Sequence, residues 1–112
     1  MYMIEAIIKP SSIDGIKAKL AGLGILGMTA LECKGFGKQK GHTERYRGGR
    51  MDVGFVPKVA LKVAVKGDDL DKALEAVTSA ARTGNVGDGK VFVYELNKVV
   101  RIRTGETDND AL

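Results

Sequence analysis

The sequence predicts one α+β domain made of two βαβ halves that are joined by a long loop. Three observations support this fold class. The order strand, helix, strand occurs twice along the chain. Each helical segment carries apolar residues at three- and four-residue spacings, the periodicity of a helix packed on one side. Between the halves, residues 35–58 are rich in glycine and basic residues and show no fold-forming periodicity.

The first half is predicted to begin with a strand over residues 2–8, which ends before Pro10 because proline cannot donate a hydrogen bond to a sheet. A helix follows, with Ser11 or Ser12 as its cap. Alternating apolar and polar residues predict a second strand over residues 28–34. The apolar stripe of the helix, and the glycines that close it, are Ile13, Ile16, Leu20, Leu23, Gly22 and Gly24.

The second half repeats this order. Residues 59–66 are predicted to form a strand, residues 67–69 turn and cap the next helix, Gly84 ends that helix, and residues 91–96 form the last strand. The helical stripe consists of Leu70, Ala73, Leu74, Val77, Ala80 and Ala81.

Two successive βαβ halves form a four-stranded antiparallel sheet with both helices on one face, the ferredoxin-like architecture. The 112 residues, 44% of them hydrophobic, suffice for one core, so residues 1–112 are predicted to be a single domain. Apolar residues occupy both faces of several strands, and the face without helices therefore needs a cover. Another copy of the same sheet is the simplest cover, so a homo-oligomer is expected.

Composition argues against several classes of protein. Lys and Arg number 18 against 14 Asp and Glu, which gives a net charge of +4 and a pI near 9.3. Aromatic residues make up 5% of the chain and there is no tryptophan, which disfavours a nucleic-acid binder. No apolar run approaches the ~20 residues of a membrane span, and no cleavable leader precedes the first strand. A cytoplasmic protein is expected.

The sequence shows no strong catalytic constellation. His42 is the single histidine, and no cluster of metal-ligating residues surrounds it at a suitable spacing. Cys33, the single cysteine, falls in a strand pattern where a buried, inert thiol is the simplest interpretation, and no base is identifiable for it. The residues alone therefore identify no catalytic site.

A glycine-rich turn follows the second helix. Residues 84–90 fit the spacing G-x-x-x-x-G-K, but a helix precedes them, a strand follows, and Val91 stands where a P-loop has the hydroxyl that holds Mg²⁺. The segment is therefore not a P-loop. Its glycines still allow backbone N–H groups to converge on an anion beside Lys90. A plain helix-to-strand turn is the alternative interpretation.

Arg101 and Arg103 lie two residues apart near the other end of the chain. In an extended segment both guanidinium groups would project from one side, an arrangement suited to a polyphosphate. If the fold brought Lys90 beside them, the three cations would require an anion. A solvated edge is the alternative.

Six short motifs occur along the whole chain in a characteristic order. They are GFGKQKGHTE at 35–44, YRG at 46–48, PK at 57–58, AARTG at 80–84, GDGK at 87–90 and RIRTGE at 101–106. Together they resemble the PII family of nitrogen-signalling proteins. The resemblance implies a non-enzymatic homotrimer of ferredoxin-like subunits that binds ATP or ADP competitively in three clefts between neighbours. It also implies 2-oxoglutarate binding beside MgATP.

The resemblance also divides the chain into functional segments. A T-loop, about residues 37–55, would dock on target proteins; a phosphate-side B-loop spans about 82–90, and a C-terminal segment spans 101–112. The implied nucleotide-binding residues are Ile7, Met28, Thr29 and Ala64 at the adenine, Gly37, Lys38, Gln39, Gly87, Asp88, Gly89 and Lys90 at the phosphates, and Arg101 and Arg103 from the adjacent subunit. The implied 2-oxoglutarate ligands are Gln39, Lys40, Gly41 and Lys58, with the Gln39 side chain also on Mg²⁺.

Several positions depart from the family pattern. Met51 stands where many bacterial members carry the tyrosine that is uridylylated, and a thioether has no hydroxyl to modify. Gly49 lacks the serine hydroxyl that is phosphorylated in some cyanobacterial members, so regulation by ligands alone is expected. Lys38 replaces a common arginine and loses its planar fork, which predicts a looser grip on the γ-phosphate. Lys62 replaces a common glutamate.

The resemblance implies protein partners for the loop. The expected partner-binding residues are Arg45, Tyr46, Arg47, Arg50 and Met51. Arg47 matches the residue that plugs ammonium channels in some members, so an Amt-type ammonium transporter is the first expected partner and the only route to membrane contact. Acetylglutamate kinase or another nitrogen-metabolism enzyme is the second. The alternatives are an adenylate sensor with another effector, a weak ATPase and a nucleic-acid binder that uses the basic loop.

Overall fold

Two βαβ units follow one another along the chain, as predicted. The computed structural model describes residues 1–37, 43–45 and 51–112. In chain order the elements are β1 (Tyr2–Ile8), α1 (Ile13–Gly22), β2 (Thr29–Gly35), β3 (Thr43–Arg45), β4 (Met51–Val53), β5 (Val56–Val65), α2 (Leu70–Ala81) and β6 (Gly89–Glu95). Short 3₁₀ turns lie at Pro10–Ser12, Gly67–Asp69 and Asp108–Ala111.

Four strands form one antiparallel sheet in the order β2-β5-β1-β6. The register places Ile8 opposite Val59 on β5 and opposite Gly89 on β6, so the end of β1 meets the turn that precedes β6. The two helices pack on one face of this sheet. The predicted α+β, ferredoxin-like architecture is confirmed.

The core lies between the helices and the sheet. β1 and β5 contribute side chains that are almost fully buried, namely Ile4, Ile8, Leu61 and Val63. The helices cover them with Ile16, Leu20, Ala73 and Val77. These strand residues alternate with others that face away, which is the period of a strand with one covered face. Burial of each large apolar side chain stabilises the fold by about 1.5–3 kcal/mol.

The other sheet face, called here the open face, carries the alternate strand residues. Leu31, Phe92 and Tyr94 are 44–49% exposed there. The Tyr94 hydroxyl donates a hydrogen bond to Glu5 at 3.0 Å. Large apolar side chains therefore remain exposed on the sheet, as the sequence predicted. The oligomer that would cover them stays a prediction.

Both helices begin directly after a predicted cap residue, but the expected capping bonds are absent. Ser12 and Asp69 occupy the N-cap positions, but neither makes a side-chain capping hydrogen bond. A 3₁₀ turn leads into each helix instead and satisfies part of its first turn. The predicted end of the second helix at Gly84 is also wrong, because α2 ends at Ala81 and Arg82 is already extended.

Four predictions about the strands and the loop also change. β5 begins at Val56 rather than at residue 59, and β6 begins at Gly89 rather than at residue 91. The loop was predicted to lack regular structure, yet β3 and β4 pair within it, with Arg45 opposite Met51. Cys33 is half-buried opposite Lys58 on the open face and is not a core thiol.

In the described part of the chain the two α-helices contain 10 and 12 residues, and no helix is long and apolar enough to cross a membrane.

Candidate functional site

The turn after α2 is folded around the carboxylate of Asp88. This carboxylate accepts hydrogen bonds from the backbone N–H groups of Thr83, at 2.6 Å, and Gly84, at 2.8 Å, and from the Thr83 hydroxyl. The Lys9 ammonium lies 3.3 Å from the same carboxylate. Both of its oxygens are therefore engaged inside the turn, and Asp88 shapes the loop.

Three glycines give this turn its backbone path. Gly84, Gly87 and Gly89 have φ angles of 90°, 106° and 109°, a region that favours glycine. At Gly89 an added Cβ would overlap the carbonyl oxygen of Ile7 and lie 3.2 Å from the Cα of Ile8. The turn therefore passes directly against β1, and no residue with a side chain fits there.

The hydrogen bonds of Thr83 are the main cause that holds the pKa of Asp88 well below the usual range of a carboxyl. Because the folded state favours the ionised carboxylate, Asp88 contributes to stability above the ordinary Asp pKa of about 4. This contribution is lost as pH falls below that value. Asp88→Asn is therefore expected to flatten the pH dependence of the urea unfolding midpoint between about pH 4 and pH 2. Asp71→Asn, at an exposed position on α2, is the matched control. An unchanged slope in Asp88→Asn would contradict this account.

Lys58 ties the start of β5 to the same turn. Its side chain is buried, with 6% exposure of the residue, and its ammonium donates a hydrogen bond to the carbonyl oxygen of Gly87 at 2.8 Å. Burial, aided by the charge of Lys9, lowers the pKa of Lys58 below the ordinary lysine value, while Asp88 and Cys33 act in the opposite direction. A partly desolvated ammonium with one carbonyl partner is suited to receive an anionic ligand.

A cleft of about 520 Å³, called here the B-loop cleft, opens beside Lys58. Lys58 and Lys90 supply its positive charge, and glycine backbone supplies part of its wall. The structure brings six predicted site residues together here, namely Ile7, Gly37, Lys58, Gly87, Gly89 and Lys90. Phe36, Phe92, Val86 and Gly35 complete the lining. The arrangement can hold an anionic group beside an apolar surface.

A second cleft of about 870 Å³, called here the β2 cleft, lies against β2 and the preceding loop. It gathers the predicted site residues Met28, Thr29, Ala64 and Arg101. Its other lining residues are Met3, Gly24, Ile25, Leu26, Gly27, Leu31, Lys62, Val65, Lys66, Asp69, Ala111 and Leu112. Nine of the predicted nucleotide-binding residues are thus divided between two clefts of one chain. Ile7 is apart from the other three predicted adenine contacts.

The expected extended geometry of Arg101 and Arg103 is wrong. Residues 102–104 form a turn, and the N–H of Gly105 donates a hydrogen bond to the carbonyl of Arg101 at 2.7 Å. Gly105, with φ of 78°, lets the chain reverse there. The two arginines therefore lie at the end of a small hairpin, and Lys90 lines the other cleft.

Several predicted residues fall elsewhere. Lys38, Gln39, Lys40, Gly41, Tyr46, Arg47 and Arg50 lie outside the described residues, so their predicted roles stay predictions. Arg45 and Met51 are paired by backbone in β3 and β4. Asp88 and Arg103 line neither cleft.

Four residues that build the site were not predicted from the sequence. Lys9 and Thr83 hold Asp88, and Glu106 pairs with Arg101. Phe92 could have been found, because it lies two residues after Lys90 in a strand and therefore shares its face. The contact of Lys9 depends on tertiary folding, and no local pattern marks it. The contact of Glu106 depends on the turn at residues 102–104.

Comparison with known proteins identifies the family of this chain. The family model described as nitrogen regulatory protein P-II matches residues 1–106. The nitrogen regulatory protein P-II of Pasteurella multocida (strain Pm70) and the nitrogen regulatory protein GlnK of Escherichia coli (strain K12) are each 50% identical to this chain over 112 residues. A P-II protein of Mesorhizobium japonicum is 53% identical over 112 residues. Each alignment covers 100% of both chains. This chain therefore belongs to the P-II family of nitrogen regulatory proteins.

Proposed function

We propose that the chain is a homotrimeric signal-transduction protein that senses ATP, ADP and 2-oxoglutarate and controls nitrogen-metabolism targets through its T-loop. The division of the predicted nucleotide-binding residues between two clefts carries this proposal. Neither cleft contains the whole predicted set. If a neighbouring subunit set its β2 cleft against the B-loop cleft of the first, the two would form one complete site.

The nucleotide would then be shared between subunits. Lys90 and the glycine backbone of the B-loop cleft would hold the phosphates, while Met28, Thr29 and Ala64 of the neighbour would contact the base. Arg101 would approach from the neighbour as well. The exposed side chains of the open face support such an assembly, because a second copy would bury them.

2-Oxoglutarate would bind beside the phosphates at Lys58. The buried ammonium already has a carbonyl partner 2.8 Å away, and a carboxylate would be a stronger one. Gln39 is the proposed Mg²⁺ ligand, with the phosphates and the acid completing the coordination. Because ADP lacks the γ-phosphate, Mg²⁺ would no longer link the acid to that phosphate. The acid would therefore bind more weakly with ADP. The T-loop begins at the same residues, so the bound ligands would bias its conformation.

Mixed trimers test whether the site is shared. Lys90→Ala disables the B-loop cleft of a subunit, and Arg101→Ala disables its β2 cleft. Each variant alone is therefore expected to bind ATP weakly. In trimers co-refolded from a 1:1 mixture, about a quarter of the clefts would join two intact halves. Calorimetry should therefore detect ATP sites of wild-type affinity at about that stoichiometry. Failure of the mixture to regain any such sites, in trimers confirmed by native mass spectrometry, would contradict the shared site.

An Amt-type ammonium transporter is the proposed first target, with acetylglutamate kinase as the second. The basic residues Arg45, Arg47 and Arg50 carry this proposal, and the missing hydroxyl at Met51 leaves ligands as the proposed regulators. Arg47→Glu is expected to abolish co-purification with the transporter, while Lys17→Glu, on the exposed surface of α1, should not. Undiminished capture of the transporter by Arg47→Glu would remove this partner.

A further inference from the structure

A small network of hydrogen bonds within the same chain holds the side chain of Arg101. Its Nη1 lies 2.6 Å from Oε1 of Glu106. The hydroxyl of Thr104 donates a hydrogen bond to the same oxygen at 2.8 Å, and the Glu106 N–H donates to that hydroxyl at 3.2 Å. The carboxylate that receives the guanidinium is therefore itself fixed in position.

The backbone of the hairpin is stabilised separately. The Arg101 N–H donates to the Glu106 carbonyl at 2.8 Å, and Val100 pairs with Thr107. At the base of the hairpin, the N–H of Asp108 donates to the carbonyl of Val99 at 2.8 Å. These bonds do not involve the Glu106 side chain, so removing its carboxylate should leave the hairpin folded.

We propose that Glu106, braced by Thr104, is a positioning residue. It orients the guanidinium of Arg101, in the β2 cleft of one subunit, toward a phosphate group held by the B-loop cleft of the neighbouring subunit. The proposal rests on the proposed function, because it assumes that Arg101 meets the nucleotide. Glu106 engages one terminal nitrogen of Arg101, and the guanidinium has five N–H donors in a rigid fork. No other partner of this guanidinium occurs among the residues that the structure describes, so its remaining donors are available for a phosphate oxygen. The fork is already oriented when the ligand arrives.

Stability alone is a poor explanation of this network. The side chains of Arg101 and Glu106 are 38% and 46% exposed, and an ion pair at such exposure contributes little to folding. Placing a carboxylate near a phosphate-binding arginine also repels the anion. Orientation of Arg101 is the benefit that offsets this repulsion.

The sign of the effect on ATP affinity distinguishes the two roles of Glu106. If Glu106 only repels the anion, Glu106→Ala should bind ATP more tightly. If it orients Arg101, Glu106→Ala should bind ATP about three- to tenfold more weakly, the effect of losing one ordered hydrogen bond. Glu106→Gln keeps an acceptor oxygen and should fall between wild type and Glu106→Ala. Thr104→Val should weaken binding less than Glu106→Ala. Glu75→Ala removes an exposed carboxylate from α2 and is the matched control.

A double-mutant cycle identifies Arg101 as the residue through which Glu106 acts. Glu106→Ala should cause no further loss of ATP affinity in an Arg101→Ala background. Equal losses in both backgrounds, or ATP binding by Glu106→Ala as tight as that of wild type or tighter, would overturn the inference. The proposed function survives those outcomes if wild type binds ATP more tightly than Arg101→Ala in the same cycle. Absence of ATP binding by wild type would instead overturn both.

Discussion

Replacing Gly89 by alanine is expected to lower the free energy of unfolding by about 2–5 kcal/mol, from backbone strain and steric overlap together. Its φ of 109° disfavours any side chain, and the new Cβ would overlap the carbonyl oxygen of Ile7. A backbone oxygen cannot rotate away as a side chain can, so β1 or the turn would have to shift. The loss is a large share of the 5–15 kcal/mol that is typical of a domain.

Two other glycines separate the causes of this loss. Gly84→Ala has a similar positive φ but open space around the new Cβ, so strain alone should cost about 1–2 kcal/mol. Gly22→Ala, at the end of α1, meets neither problem and should be neutral or stabilising by about 0.5–1 kcal/mol. Urea unfolding at one protein concentration measures all three. If Gly89→Ala lowered the free energy of unfolding no more than Gly84→Ala does, steric overlap with Ile7 would not be a cause of the loss.

Lys58→Met is expected to weaken 2-oxoglutarate binding by about 10- to 100-fold, the effect of losing a charge-assisted hydrogen bond. Methionine keeps most of the buried stem and removes only the ammonium that now reaches Gly87. ATP affinity should change less, because Lys90 and the glycine backbone of the B-loop cleft remain. Competition between the acid and the Gly87 carbonyl for one ammonium is the physical basis of this prediction.

Lys34→Met is the matched control for Lys58→Met. Lys34 lies on the neighbouring strand β2, opposite Pro57, and is exposed. Calorimetry in the presence of MgATP should give wild-type 2-oxoglutarate binding for this variant. If Lys58→Met retained wild-type 2-oxoglutarate binding with its unfolding midpoint unchanged, Lys58 would not be the residue that receives the acid.

The order of helices and strands could be predicted because the spacing of apolar residues that marks each element lies within a short stretch of sequence. The start of β5 could not, because Pro57 argues against a strand unless its neighbours are known. At Pro57 the strand pairs with β2 only, since the pairing with β1 ends at Val59, and a proline is tolerated where one side of a strand is free. The missing capping bonds at Ser12 and Asp69 likewise reflect 3₁₀ turns that the propensity of a cap residue does not predict.

The residues that form the site could be predicted better than the contacts that they make. Resemblance placed Lys58, Lys90 and Gly87 in one site, and the structure brings them into one cleft. The bond from Lys58 to Gly87 joins residues 29 positions apart, so no local pattern encodes it. The hairpin at Arg101 is different, because Thr104-Gly105 is a turn signal that the extended interpretation of the arginines overlooked.

Calorimetric titration of 2-oxoglutarate tests the proposed sensor most directly. The titration is made into the wild-type protein saturated with MgATP and, separately, with MgADP. Saturable binding is expected with MgATP, and binding at least about tenfold weaker is expected with MgADP, because the γ-phosphate is missing from the proposed Mg²⁺ bridge. Equal affinity in both nucleotides would contradict that bridge. Absence of binding in protein shown to hold MgATP would contradict 2-oxoglutarate sensing altogether.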